Sequence, residues 1–538
     1  MSKIRKPVAV LVVLAPLILA AWPFVTHFRL KARVAAYRSE LKAKGEKLTI
    51  PQLSPFVSRE SASAGYALMA SANQMQTASL SSNFPPIMRI VAPARALVSW
   101  KQPVLSNGEV SNVWPALAEI LAQNEAALDE LRRILNGPVA GYPKDYDQGF
   151  SLPLPYLARF KSIAQWFNLA TVSELHGGRC EMAHQNLVAL IECVRVDESS
   201  ALMISELVRI AMAAIAISGT WEALQSPDWR DEDLKRVQDL WTSIDFLNQA
   251  EAALAMERLM SAKAYDAGRR SFSAIGGGML MGGGSAASAL AELKQMGQEV
   301  LDNPKEGLQN FAHRYPGYWH WTLWQSYEDE LFNDKIVQAG LEAVRQMQTG
   351  LAFSAALKNL ESGTAKYRKE HPKAGAWIGY SPAETLPRFV SRATRIELER
   401  SILIAAIALK RYQLQHGNYP EHLAALVPAY LPSAPIDRMD GQPLRYRLNS
   451  DGTFLLYSIG DDGVDNGGEA TPPAETTVIR QWSRAKDAVW PQPPSPVETE
   501  QAIEKLAKEW SARANKSGTP LESGFRKRYG LLPATTNN

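Results

Sequence analysis

Between Pro7 and Thr26 the chain runs twenty residues without a charge, PVAVLVVLAPLILAAWPFVT. As a helix such a run rises about 30 Å, the thickness of a bilayer's hydrocarbon core. Lys3, Arg5 and Lys6 precede it, and Trp22 and Phe24 fall near its end, where an aromatic belt meets the headgroups. A cleaved signal peptide shares the charged start, but no A-x-A site and no lipoprotein cysteine stand out. The expectation is a single-span signal anchor over 7–26 with a cytoplasmic start over 1–6. Arg29, Lys31, Arg33, Arg38, Lys42 and Lys44 lie beyond the span, and a strict count of positive charge would keep the body inside. Short basic starts commonly stay inside and export the downstream chain, so a periplasmic body on a bacterial inner membrane is the expected topology. Residues 27–48 form a basic juxtamembrane helix suited to anionic headgroups.

The charge balance narrows the partners. Ten Lys/Arg against two Glu put +8 in the first 50 residues. The whole chain carries 58 Lys+Arg and 55 Asp+Glu, so the remainder nets −5. A mildly acidic body argues against nucleic acid. With 538 residues, 46% of them hydrophobic, the chain is expected to hold more than one folded unit and little global disorder. Cys180 and Cys193 fall on one helical segment, roughly 20 Å apart, which excludes a disulfide between them.

From Trp114 the apolar period is 3.6 residues. Leu117, Ile120, Leu121, Leu128, Leu131 and Leu135 form one stripe, opened by Pro115 and closed by Asn136-Gly137-Pro138. Two helices meet at Gly177-Gly178, lined by Leu157, Phe160, Ile163 and Phe167 and by Met182, Leu187, Ile191 and Val194. Further helices continue through Ile217, Leu240 and Leu259. This is a helical-hairpin, repeat-like body over 49–272, without a clean repeat period.

Residues 273–290 hold six glycines around Met279-Leu280-Met281 and are expected to form a loop. The segment 291–385 carries an aromatic cluster, of which Tyr318, Trp319, Trp321 and Trp324 are a candidate binding surface. Core packing is the commoner fate of such clusters. Glu328 and Glu330 lie on what reads as a solvated helix. No H-E-x-x-H, G-x-S-x-G, phosphate-binding loop or paired C-x-x-C is present. No catalytic residue is assigned, and an enzyme is not the leading expectation.

Residues 386–470 are the most informative. A helix from Pro387 to His416 ends at Gly417, and Leu423, Leu426 and Val427 mark a short helix. Leu444–Leu448 and Thr453–Ile459 are strands around an Asn449–Gly452 turn. The order Tyr412…His416-Gly417-Asn418-Tyr419-Pro420, Pro435-Ile436-Asp437, Gly441-Gln442-Pro443-Leu444-Arg445-Tyr446 and Tyr457-Ser458-Ile459-Gly460 resembles the soluble part of the major pseudopilin of type II secretion systems, the G type. The resemblance covers under a fifth of the chain and lacks that family's leader and processing site. It implies a small α+β module whose acidic loop binds Ca²⁺ through Asp461, Asp462, Asp465 and Asn466. These oxygens on a glycine-rich backbone suit calcium chemistry, though Gly463 and the missing twelfth-position Glu exclude an EF-hand, and a plain Asx/Gly turn is the alternative.

The tail, 471–538, is expected to be a Pro-rich linker ahead of a C-terminal helix. The expected fold class is thus mainly α: one transmembrane helix, a helical-hairpin body, and a small module with an antiparallel β-hairpin. The expected role is an envelope scaffold that docks other envelope proteins. The alternatives are an envelope enzyme with a site near the Trp/Tyr cluster, and an atypical secretion-system component.

Overall fold

The structure, a computed structural model, describes residues 5–75, 87–105, 112–270, 298, 301–303, 305, 320–372, 374, 382–471 and 482–517. Side chains are described from Trp22 onward, except Pro23 and half of the final helix. The glycine-rich segment, Tyr318 and Trp319 lie outside the described residues.

Helix α1 spans Arg5–Ala43 without a break. The basic segment after the apolar run is therefore a continuation of the same helix, and its far end is not laid on a surface. Val34 and Leu41 are buried, whereas Trp22, Phe24, Val25 and Phe28 are exposed. A short turn α2 (Ile50–Leu53) and helix α3 (Arg59–Gln74) come next. A two-stranded antiparallel ribbon, β1 (Arg89–Ala92) and β2 (Arg95–Leu97), lies beyond them.

The stripe expected over 114–135 is two helices, α4 (Trp114–Gln123) and α5 (Glu125–Leu135). Asn124 breaks it: its side chain donates to Ile120 O at 2.9 Å, satisfying a carbonyl of the last turn of α4. Helices α6 (Leu157–His176) and α7 (Cys180–Arg195) meet at the expected glycine pair. Gly178 sits at φ +71°, the left-handed region that favours glycine. Both cysteines lie on α7 and are free.

Helix α8 (Met203–Leu224) packs on α6 and α7. Among the residues searched it is long and apolar enough to cross a membrane. Half of that stretch is buried inside the body and Trp221 is fully enclosed, which makes it a core helix. Gly219 permits the close approach, since a β-carbon there would lie 2.5 Å from Asn168 Oδ1. Helices α9 (Asp231–Ser243) and α10 (Leu247–Arg270) complete this half.

After a π-helical turn at Trp321–Gln325 come α11 (Ser326–Gln348), α12 (Phe353–Glu370) and α13 (Pro382–His416). Helix α13 starts five residues before the expected Pro387, because a second proline, Pro382, holds the first helical position, where no N–H is needed. It packs on α8, α9, α11 and α12. The helix expected to belong to a separate module is thus a pillar of the body, and one apolar core runs from Leu68 to Trp490.

The expected hairpin is β3 (Arg445–Leu448) against β4 (Phe454–Ser458), with Arg445 opposite Tyr457 and Leu448 opposite Phe454. A third strand, β5 (Ala488–Val489), pairs with β4. It comes from the segment read as linker. Trp482 and Trp490 are buried there, and Trp221 Nε1 donates to Pro491 O at 2.8 Å. Helix α14 (Pro496–Ser517) ends the described chain.

Two carboxyls in this interior titrate far from their usual range. Glu222 accepts the N–H groups of Met88 and Ser99 at 2.9–3.1 Å and so ties the ends of the β1–β2 ribbon to α8. Glu206 pairs with Arg209 at 2.8 Å. Burial pushes both up to about 7, against the opposing pull of those partners. A folded pKa above the unfolded value means stability that is full below the usual carboxylate range and lost as pH rises through about 7. The melting temperature should accordingly be higher near about pH 5.5 than near about pH 8, by an amount worth roughly 2 kcal/mol per group. Glu222→Gln should flatten that slope in a pH series of thermal melts.

Candidate functional site

Charged and polar side chains interrupt the apolar packing at several places, and three such clusters lie on the segments that the sequence marks for function. The first fastens α1 to the body. Arg38 donates through Nε to Asp334 Oδ2 at 3.0 Å and through Nη2 to Glu330 Oε1 at 2.7 Å. Both acids are one turn apart on α11, and both are buried, Asp334 completely. Arg269 of α10 reaches Glu330 Oε2 at 2.9 Å and lies over the Tyr327 ring. His27 of α1 meets the same ring edge-on. Burial raises the Asp334 carboxyl to about 6, with Arg38 opposing the rise. The expected solvated face is therefore reversed at Glu330, because its countercharge comes from 292 residues earlier in the chain.

One turn past the end of α1, Glu46 closes the same seam. It accepts from Arg345 at 2.5 and 3.1 Å, from Gln338 at 3.0 Å and from Arg258 at 3.2 Å. Burial alone would raise this carboxyl, but the bonds from Arg345 and Gln338 and the charge of Arg258 outweigh it and hold it at about 2. Arginines and carboxylates (Glu46, Glu330, Asp334) are thus matched along α1, α10 and α11, with Arg345 also holding Glu251 at 2.7 Å.

The second cluster lies on the neighbouring face of α11 and at the C-terminal end of α10. Trp321 is fully buried and donates from Nε1 to Asp329 Oδ2 at 2.8 Å. Trp324 is half-buried and stacks on His320. The aromatic cluster is therefore divided: Trp321 is a wall of the interior, and Trp324 alone of the described pair reaches the surface. On the same interior face, Thr322, Ser326, Asp329 and Asn333 recur at helical spacing and are all buried. Ser261 and Tyr265 are buried on α10. Ser261 Oγ, Thr322 Oγ1 and both amide atoms of Asn333 have no hydrogen-bond partner among the described residues.

The third cluster is the acidic loop. Asp461 pairs with Arg395. Asp465 accepts from Arg445 Nε at 3.1 Å, from the Tyr457 hydroxyl at 3.0 Å and from Gly467 N at 3.0 Å. Asp462 accepts from Val464 N at 3.0 Å and from Asn466 Nδ2 at 3.2 Å, as an Asx turn does. These oxygens are engaged by arginines, a tyrosine and the loop's own amides. Among the described residues no group of three or more His, Cys, Asp and Glu is arranged to hold a metal ion.

Two residues that organise this module escape a reading of the sequence. Asp437, wholly buried, accepts from Met439 N, Ser458 Oγ, Ile459 N and Arg445 Nη1 at 2.7–2.9 Å. Asp487, also buried, accepts from Asn466 N, Gly468 N and Glu469 N and so pins the acidic loop to β5. The Pro435-Ile436-Asp437 signal was available for the first. Nothing local marks the second. No family model, no curated protein and no solved structure matches the chain, so its function is argued from this geometry.

Proposed function

We propose that the chain is a single-span protein of the bacterial inner membrane with a periplasmic helical body that serves as an interaction scaffold. The observation that carries this reading is α1. Its first half is the uncharged run of 7–26, its exposed aromatics Trp22, Phe24 and Phe28 lie where that run ends, and its second half is ion-paired into the body through Arg38. An anchor continuous with the core holds the body close to the lipid surface in one orientation. A flexible tether would not. Exposed Arg29, Lys31 and Arg33 then face the headgroups.

The closing module keeps its resemblance to the G-type pseudopilin as a proposal, supported by the sequence of long helix, short helix and β-hairpin. In the reading favoured here it locks the C-terminal part of the fold and docks a partner. Calcium would have to compete with Arg395 and Arg445 for Asp461 and Asp465. Topology is tested by reporters fused after Asn538. Activity from a reporter that works only in the periplasm is expected, and silence there with activity from a cytoplasmic reporter places the body inside. The enzyme reading is favoured by one observation, the buried Asp329 held by Trp321 next to a row of polar groups.

A further inference from the structure

Contacts between the helices fix where each of them ends. Helices α1 and α11 run side by side in the same direction: His27 meets Tyr327, Arg38 bonds Glu330 and Asp334, and Glu46 bonds Gln338 and Arg345. Helix α10 runs the other way, with Arg258 at Gln338 and Arg269 over the Tyr327 ring. Helix α12 does the same: Lys335 lies over the Tyr367 ring, and His371, the residue after its end, bonds Glu328. The uncharged run of α1 stops at Thr26, one residue before His27. The end of α10, the start of α11 and the end of α12 therefore share one end of the body, and it is the end from which the span leaves. The π-helical turn at Trp321–Gln325 precedes Tyr327 and packs on α1, so it lies on the span side of His27, toward Trp22 and Phe24. Half-buried Trp324 stands near the depth of those exposed aromatics.

The charge at this end is basic on every helix that reaches it. Helix α1 gives exposed Arg29, Lys31 and Arg33. Helix α10 stops on Arg269-Arg270, of which Arg269 is taken by Glu330 and Arg270 is 71% exposed. Helix α12 carries exposed Arg368 and Lys369 in its last turn. Arg29, Lys31, Arg33 and Lys369 have no carboxylate partner. Of the exposed acids described on these helix ends, Asp266 is held by Arg270 and Glu384 lies 3.7 Å from Arg368, which leaves Glu370. The helix dipole accounts for cations at the ends of α10 and α12. It does not account for Arg29, Lys31 and Arg33, which lie inside a 39-residue helix at the same end of the body.

We infer that this end of the body is itself a lipid-facing surface that binds anionic phospholipid headgroups, with Arg270, Arg368 and Lys369 joining Arg29, Lys31 and Arg33 as the headgroup cations. The inference rests on the anchor reading of α1 for the depth at which it places that surface. It goes beyond that reading in giving the body's own helix ends a partner. An aromatic ring at the interface with cations just beyond it is the arrangement that an anionic bilayer surface favours. Trp324 supplies such a ring from the body, beside Trp22 and Phe24 from the anchor.

The test is hydrogen exchange of the full-length protein reconstituted in vesicles of phosphatidylcholine, alone or with about 30% phosphatidylglycerol, a composition that gives the surface its negative potential. Amides 266–270 and 366–370 should exchange about fivefold or more slowly in the anionic vesicles than in the neutral ones, and added salt should shrink the difference. Arg270→Gln, Arg368→Gln and Lys369→Gln combined should abolish it while leaving the anchor's cations in place. All three side chains are exposed, so the variant should keep its melting temperature. Equal exchange in the two lipids overturns the inference and leaves the basic end to an acidic protein partner. A difference that survives the triple substitution overturns it as well, since α1 alone then carries the preference. Extraction of the protein by alkaline carbonate reads the span separately. A chain that resists carbonate and shows no lipid preference keeps the anchor and loses the inference. A chain that is extracted and still shows the cation-dependent preference loses the anchor and keeps a peripheral lipid surface.

Discussion

Arg38→Ala should destabilise the docking of α1 by about 3–5 kcal/mol, the usual cost of removing one partner from a buried ion pair. The loss is larger than that of a surface bridge because of what remains. Asp334 has no exposure at all and Arg38 is its partner at 3.0 Å. Glu330 keeps Arg269, so the uncompensated charge falls on Asp334. That carboxyl already sits at about 6 because of burial. Without the guanidinium it rises further, and protonation relieves the cost. The destabilisation should therefore be greatest near about pH 8 and shrink near about pH 5, a signature that lost packing alone does not give. Adding Asp334→Asn should restore much of the stability, and a double-mutant cycle should show a coupling of roughly 2 kcal/mol or more. Hydrogen exchange of the Val34–Ala43 amides is the local readout. If Arg38→Ala leaves those amides protected at both pH values, α1 is held by Val34 and Leu41 alone, and the rigid-anchor reading weakens with it.

The parts of the fold that were legible in the sequence are those whose determinants are local. The Gly177-Gly178 stop, the proline at the head of α4, the Gly417 terminator and the Asn449–Gly452 turn each act within a few residues, and each stands where the pattern put it. The features that were not legible depend on distant partners. Glu330 reads as a solvated acid until Arg38 is brought to it. Residues 482–492 look like linker because β5 is two residues long and is held by partners far off in sequence: β4, the Trp221 indole, the β1–β2 turn and the core that buries Trp482 and Trp490. Apolar periodicity over 114–135 could not register the break at Asn124, since both helices keep the same phase. The candidate binding surface suffered in the same way. Spacing placed Trp321 and Trp324 together, but the packing of their turn against α1 and α11 decides that one is wall and the other is surface.

Asp437→Ala should be the most damaging change in the closing module, opening the β3–β4 sheet by roughly 3–5 kcal/mol. The carboxylate takes four donors into a site with no solvent, at 2.7–2.9 Å: two backbone N–H groups, the Ser458 hydroxyl and Arg445. Alanine leaves all four without their acceptor. Arg445 then retains Asp440 and Asp465, so the loss concentrates on the backbone of Ile459 and Met439, at the end of β4 and beside the turn it packs on. Burial raises the Asp437 carboxyl, opposed by those same bonds. Its stabilising effect therefore comes from satisfying donors and from Arg445, and a neutral isostere tests which. Asp437→Asn keeps an acceptor for one pair of donors but turns an N–H group on the other, so it should recover part of the loss and no more. Hydrogen exchange across Leu455–Gly460 measures this locally, with protection falling on the order of a hundredfold or more in Asp437→Ala and less in Asp437→Asn. The same experiment separates the two roles given to the acidic loop. The loop is pinned through Asp487 and Arg445, so amides of Gly467 to Glu469 should open together with β4 in Asp437→Ala. If they stay closed while β4 opens, the loop is held independently of the sheet, and its acids answer to something other than the arginine lattice.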